Sequence, residues 1–281
     1  MGMSILTNTA SLSAQRNLSK SQGAMSKNIG RLSSGLRINT ASDDAAGLGI
    51  SENLKADIRG LAQAGRNAND AVSLAQVAEG SMNEQQGIVT RMRELAVQAA
   101  NGTLGSTERG YIDTEFDALS SELNRIANTT EFNGQKLLEG SASAGLTMQV
   151  GFQNTTNDRI AMSVTRLVTS TLGSTGGLQI ASVSLSTATN AQLALSAFDG
   201  AIEQLSTARA KVGAFQNRAS ITISNLGVAH ENLSAANSRI RDVDVASEAA
   251  DMTKNQILSQ AGISVLSQAN SLPSSALALI G

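Results

Sequence analysis

Few residues in this chain of 281 could carry covalent chemistry. There is one histidine, His230, and no cysteine. The missing thiols remove disulfides, thiolate zinc sites and cysteine nucleophiles together. A Ser-His-Asp arrangement needs a histidine held by an acid and set beside a nucleophile. No such motif surrounds His230, which reads as a surface or inter-helix histidine. Gly47-Leu48-Gly49 has no strand before it and no third glycine after it, so it is no dinucleotide-binding loop. Asp43, Asp44, Asp242 and Asp244 fit helix caps and inter-helix charges better than a metal site. No HExxH occurs. These residues argue against an enzyme and call for no cofactor. What recurs at regular spacing is Ala, Leu, Ile, Val and Met, and their chemistry is burial.

The net charge of −2 gives no reason to expect nucleic acid or an anionic membrane as a partner. No apolar run approaches the length of a membrane span, so no membrane insertion is expected. The first residues, MGMSILTNTASLSAQR, lack a basic region followed by an apolar one, so no cleaved secretory signal is expected. Aromatics make up only 2% of the chain and Trp is absent. Aliphatic side chains must then fill the core, which suits helices packed closely side by side.

The elements that would position these residues are long helices. The only proline is Pro273, near the end. From Leu54, steps of seven give Leu61, Ala68, Ala75, Met82, Val89 and Ala96. A companion row holds Ala64, Ala71, Ala78, Met92 and Ala99, broken by Gln85. Together they predict one apolar seam on a helix from about Asp44 to Ala100, about 85 Å long at about 1.5 Å per residue. Asn101-Gly102 reads as its stop. A second seam runs through Phe198, Leu205, Val212, Ala219, Leu226, Leu233 and Ile240. The two seams should pack as a coiled coil, antiparallel or parallel.

Between them, Ile112, Phe116, Leu119, Leu123 and Ile126 predict a shorter helix from about Thr107 to Asn128, with Ser106 as its cap. Asn133-Gly134 is a turn signal. Alternation at Leu146, Met148 and Val150 and again at Ile160, Met162 and Val164 predicts a β-hairpin over about 146–164. The Ser-, Thr- and Gly-rich stretch over about 167–190 reads as a surface connection. Near the start, Leu18, Met25, Ile29, Leu32 and Leu36 make a helical stripe. Near the end, Ile257, Ala261, Val265 and Leu266 suggest another. Neither short stripe can hide alone, so the ends pair with each other, pair with other copies, or stay disordered.

Between the first stripe and the first seam lies LSSGLRINTASDDAAGLGI, residues 32–50. Gly35 allows a helix to end, and Thr40, Ser42 or Asp43 can cap the next. Asp43 and Asp44 also suit the positive end of its dipole.

That stretch, with RMRELAVQAANGT, EFNGQKLL, GAFQNR, ENLSAANSRIRDVD and KNQILSQAG, resembles bacterial flagellin, in order and over nearly the whole chain. The resemblance implies a mainly α fold. A long antiparallel helical hairpin or coiled-coil bundle would carry a small β-hairpin, with the N- and C-terminal helices paired. Residues 1–43 and 241–281 would form an inner filament-core domain, and 44–240 an outer helical domain. Gly35, Asp43, Asp44 and Gly47 would lie in the joint between them. The outer domains of larger flagellins are absent, so the chain resembles a short form.

By the same resemblance the chain polymerises into an extracellular flagellar filament, the helical propeller of swimming. Its implied partners are other flagellin subunits, an export chaperone, the filament cap and junction proteins. Arg91, Leu95 and Glu115 read on their own as exposed helix residues. Their counterparts in the family contact neighbouring subunits and the Toll-like flagellin receptor of animals. The rival reading is a hook–filament junction protein, disfavoured by RMRELAVQAANGT and EFNGQKLL in the middle of the chain.

Overall fold

The computed structural model describes residues 7–173 and 179–277, with side chains up to Ser271. The elements are α1 (Thr9–Ser34), α2 (Ala45–Ala99), α3 (Ser106–Thr129), β1 (Glu131–Phe132), β2 (Gln135–Lys136), β3 (Leu146–Gln149), β4 (Arg159–Met162), α4 (Ala188–Arg241) and α5 (Val245–Leu277). The fold is mainly α with small antiparallel hairpins. The chain divides into two compact units, one of residues 1–58 with 232–281 and one of 59–231.

The unit 59–231 holds one continuous hydrophobic core. Both predicted rows on α2 supply it: every position from Leu61 to Ala99 named above is buried. Gln85, the break in the row, is buried too. Its Nε2 donates to the carbonyls of Leu123 and Leu167, at 3.4 and 3.1 Å, so the interruption fastens α2 to two other segments. From α4 come Phe198, Leu205, Val212 and Ala219. Beyond them Leu226 is only half-buried. The two long helices run antiparallel, as paired residues show: Arg93 with Asp199 (2.7 Å), Gln86 with Arg209 (2.6 Å) and Glu79 with Gln216 (2.9 Å). Helix α3 inserts Phe116 edge-on against Phe198, ring centres 5.9 Å apart.

Asn133 and Gly134 both have positive φ, 50° and 77°, the backbone of a type I′ turn closing the β1–β2 hairpin. The larger hairpin pairs Leu146 with Met162 and Met148 with Ile160, and Ile160 and Met162 point into the core. Its outer end is pinned to α2. The Asn67 amide donates to the Gln149 carbonyl (3.0 Å), and Phe152 lies so close to Gly60 that a Cβ there would come within 2.8 Å of it.

Helix α2 ends at Ala99, just before Asn101-Gly102 as expected; Gly102 is not left-handed, and Arg109 of α3 reaches back to the carbonyls of Ala99 and Asn101 (2.8 and 2.9 Å) to close the helix end. Two local expectations are corrected. Helix α3 starts at Ser106, with Gly105 in the cap position, where a Cβ would lie 2.5 Å from Glu108 Oε2. The segment 167–190 is no mere surface connection. Leu167, Leu172, Ile180 and Leu185 are buried, and Asn124 and Asp113 of α3 hold its backbone at Thr169 N (3.1 Å) and Leu185 N (2.6 Å). Residues 174–178, the middle of that segment, lie outside the described residues.

The unit of residues 1–58 and 232–281 is built differently. Helices α1 and α5 pair antiparallel: Asn8 Nδ2 donates to the Ala269 carbonyl (2.8 Å) at one end, and Arg31 faces Glu248 (3.7 Å) at the other. Among its described residues only Ala14, Ile38 and Ala269 are buried hydrophobics.

Candidate functional site

The joint between α1 and α2, residues 35–44, is organised by its two aspartates, each with a separate task. Gly35 ends α1 in the left-handed conformation at φ 71°, as expected of a glycine there. Asp43 does not cap α2. Its Oδ2 accepts from the amides of Asn39 (3.3 Å) and Thr40 (3.1 Å) and from the Thr40 hydroxyl (3.1 Å), which closes the turn before the helix. The cap is Asp44, whose Oδ1 accepts from the Gly47 amide at 2.9 Å. Glycine at position 47 leaves room for this cap, because a Cβ would displace the Asp44 carboxylate and lie 2.8 Å from Ile38 Cδ1. The Thr40 hydrogen bonds, then that of Asn39, hold the Asp43 carboxyl below the usual carboxylate range, helped by Arg31.

The sequence reading missed what fastens this joint. Val243 N donates to Gly35 O (3.1 Å) and Arg37 N to Arg241 O (2.6 Å), so Leu36 and Asp242 form one antiparallel bridge. Arg241 pairs with Glu52, and Ser51 donates to Asn237 (2.8 Å). Arg31 stands between Glu248 and Asp43, at 3.7 and 4.0 Å. Asn28, also buried, bridges Ala24 O and Glu248 Oε1 at 3.0 Å with its amide in the orientation that satisfies both ends. The signal was present as polar residues on the α1 stripe, yet nothing marked their partners. Asp244, as a cap, accepts from the amides of Ala246 and Ser247, 3.0 and 3.3 Å.

The terminal stripes meet only in part. On α1 the covered row is Ala14, Leu18, Met25, Asn28 and Leu32, close to the predicted stripe, but Ile29 is half exposed at 50%. Leu36 falls past the helix end. On α5 the covered row is Glu248, Met252, Asn255, Ser259, Gly262, Leu266 and Ala269. Leu266 belongs to it, whereas Ile257 (61%) and Val265 (55%) do not. Gly262 makes the close approach possible: a Cβ there would sit 3.3 Å from Leu18 Cδ1. Ile257, Leu258, Ile263 and Val265 are left exposed.

Of the three residues singled out on α2 and α3, two are brought together. Arg91 donates through Nε and Nη2 to Glu115 Oε1 (3.0 and 2.9 Å) and through Nη1 to Glu94 (3.1 Å). Glu115 first, then Glu94, raise the guanidinium pKa further above its already high value. Leu95 is not on the surface; at 1% exposure it belongs to the core with Met92 and Ala96.

His230 is exposed. Among the described residues no cluster of His, Asp or Glu is arranged to hold a metal, and no helix is long and apolar enough to cross a membrane. Heptad helices, a joint tied by backbone bridges and open apolar faces define a structural protein built from packed rods. The sequence matches the bacterial flagellin N-terminal helical region over residues 5–143 and the C-terminal helical region over 195–280. It is 43% identical to a flagellin of Halalkalibacterium halodurans, covering 99% of this chain and 100% of that one. It is 42% identical to a flagellin of Bacillus subtilis with the same coverage. A crystal structure of Bacillus cereus flagellin is similar at 29% identity and a TM-score of 0.48, over 57% of this chain and 88% of that one. The chain belongs to the bacterial flagellin family, a family of structural proteins and not of enzymes.

Proposed function

We infer that this chain is a structural subunit that polymerises with copies of itself into the extracellular flagellar filament. One observation carries this beyond the family: α1 and α5 are long helices with almost no core of their own. Ile257, Ile263 and Val265 stay more than half exposed in the single chain. Burying the exposed half of each on assembly contributes about 1–2 kcal/mol. Each subunit then uses one face against a different face of the next, a contact that does not close and so builds a helix.

The inner domain of the filament is the paired ends, residues 1–43 and 241–281; the outer domain is 44–240. Gly35, Asp43, Asp44 and Gly47 form the joint between them. An export chaperone on the C-terminal segment, a filament cap and junction proteins serve the chain before and after assembly, and export needs no cleaved signal. Arg91 and Glu115 contact neighbouring subunits and, where an animal meets the filament protein, its Toll-like receptor; Leu95 supports them from beneath. The β3–β4 hairpin takes part in the switch between packing states that coils the filament. A hairpin substitution that leaves filament shape and its salt response unaltered would count against that role.

The deciding experiment incubates the purified chain with short filament seeds and follows growth by negative-stain electron microscopy. Long uniform filaments are expected. Short caps, or no growth at any salt or pH tried, would favour a junction protein.

A further inference from the structure

Helix α4 carries a row that its own chain leaves uncovered. Lys211, Ala214, Arg218, Ile221, Asn225 and Val228 follow one another by three and four, and all are exposed. Ile221 and Val228 are large apolar groups at 63% and 59% exposure, which is more than scattered surface leucines require. Beside the row is a groove of about 320 Å³ between α4 and the β3–β4 hairpin. Its apolar floor is Val150 and Ile160, and Arg159 and Arg218 stand at its rim. Neither Lys211 nor Arg218 is in a salt bridge among the described residues.

Helix α3 carries the counterpart. Glu108, Tyr111, Glu115, Ala118 and Glu122 keep the same spacing. Tyr111 is the only tyrosine and is 73% exposed. The two rows share one pattern with the charge reversed. Lys211 and Arg218 are seven residues apart, about 10.5 Å along a helix, and so are Glu115 and Glu122. Read in opposite chain directions, the apolar positions correspond too: Ala214 and Ile221 lie three residues after Lys211 and Arg218, and Ala118 and Tyr111 lie four residues before Glu122 and Glu115. Glu115 and Glu122 pair with Arg91 and Arg125, exposed contacts that cost little to rearrange.

We propose that the α4 row of one subunit docks antiparallel against the α3 row of a second copy, with Lys211 facing Glu122, Arg218 facing Glu115 and Ile221 covered by the Tyr111 ring. This rests on the filament reading and assigns one of its contacts. The occupant is another copy because the complementary row exists in this same chain. An open polymer needs two unlike patches per subunit, and these are two unlike patches. Interspersed charge fixes register and rejects wrong alignments, while the apolar positions supply burial.

The test uses charge reversal in the full chain, with seeded growth as the readout. Growth of the parent chain on seeds tests the filament reading itself; the variants test only this contact. Lys211→Glu with Arg218→Glu should slow elongation roughly tenfold or more, since like charges would then face each other. Glu115→Lys with Glu122→Lys should do the same. All four changes in one chain, grown on seeds of that same chain, restore complementarity at every copy of the contact and should return most of the growth. Monomer melting and far-UV circular dichroism identify any variant that fails to fold. A second route avoids charge: the chain has no cysteine, so Tyr111→Cys with Ile221→Cys allows a short bismaleimide to link neighbours. A ladder of cross-linked oligomers from filaments is expected. Reversals that leave growth within about twofold of the parent, a quadruple variant no better than either pair, or filaments that yield only monomer after cross-linking would each overturn the proposal.

Discussion

At the scale of single residues, the joint depends on two side chains whose tasks the sequence could not separate. Adjacent aspartates before a helix both look like caps, and only the backbone path decides that Asp44 caps α2 while Asp43 ties the preceding turn. Gly47→Ala should cost about 1 kcal/mol or more, because the new methyl group displaces the Asp44 carboxylate and with it the cap. Urea unfolding of the variant would measure this; an unaltered midpoint would mean that the cap moves without loss. Asp43 gives a pH test. Its folded pKa lies below the unfolded value. The ionised form is therefore the one the fold favours. The stabilisation is complete above the ordinary carboxylate range and is lost as pH falls through the depressed folded value. Asp43→Asn should flatten that acid limb in a series of urea midpoints taken at falling pH. Equal acid slopes in variant and parent would remove Asp43 from the account. Leu95 shows the opposite failure of sequence reading. Its place one turn from Arg91 suggested a shared surface, yet the seam on α2 is wide enough to include it.

At the scale of elements, periodicity was decisive where a helix has one apolar face and silent where it has several. The two rows on α2 and the first half of the α4 seam are buried as their spacing predicts, and the alternation over 146–164 made the hairpin visible. The Asn133-Gly134 turn was legible because few residues tolerate two positive φ values in succession. Helix α5 was not legible. Its apolar and polar residues are scattered round the helix without a single apolar face, so its hydrophobic positions cannot say which of them meets α1. Small and polar residues make the choice: Gly262 lets Leu18 approach, and Glu248 faces Asn28 and Arg31. The segment 167–190 was misjudged for a similar reason. Its Ser and Thr residues dominate the composition, while a few apolar side chains and two α3 acceptors fix its position. Gly262→Val tests the α5 contact. The added isopropyl group would push α1 away along its middle turns, so seeded growth should fall sharply. The melting of the unit 59–231, whose core does not include this position, should stay within about 0.5 kcal/mol of the parent. Unchanged growth would show that α1 and α5 separate from each other in the filament.

At the scale of the whole molecule, burial is divided unequally between the two units. The unit 59–231 contains the continuous core, with Phe116, Phe198, Met82 and Leu123 fully buried. The other has three buried hydrophobic side chains among its described residues. A unit so poor in core opens easily, because few buried contacts oppose the chain entropy gained. In a filament the same helices would be covered by neighbours, and their opening would then require the neighbours to leave. Limited proteolysis of the free chain should therefore cut first within 1–58 and 232–281 and leave a resistant fragment near 59–231. The same protease applied to filaments should leave the ends intact. A chain lacking 1–40 and 242–281 should keep the cooperative melting of its core, since no residue of the core lies in the deleted parts. It should fail to extend seeds, because the faces that need covering have gone. Cleavage spread evenly over the free chain would mean that the ends hold themselves together without neighbours. Growth of the truncated chain would mean that contacts within 59–231 suffice to build the polymer, and the assembly role given to α1 and α5 would fall.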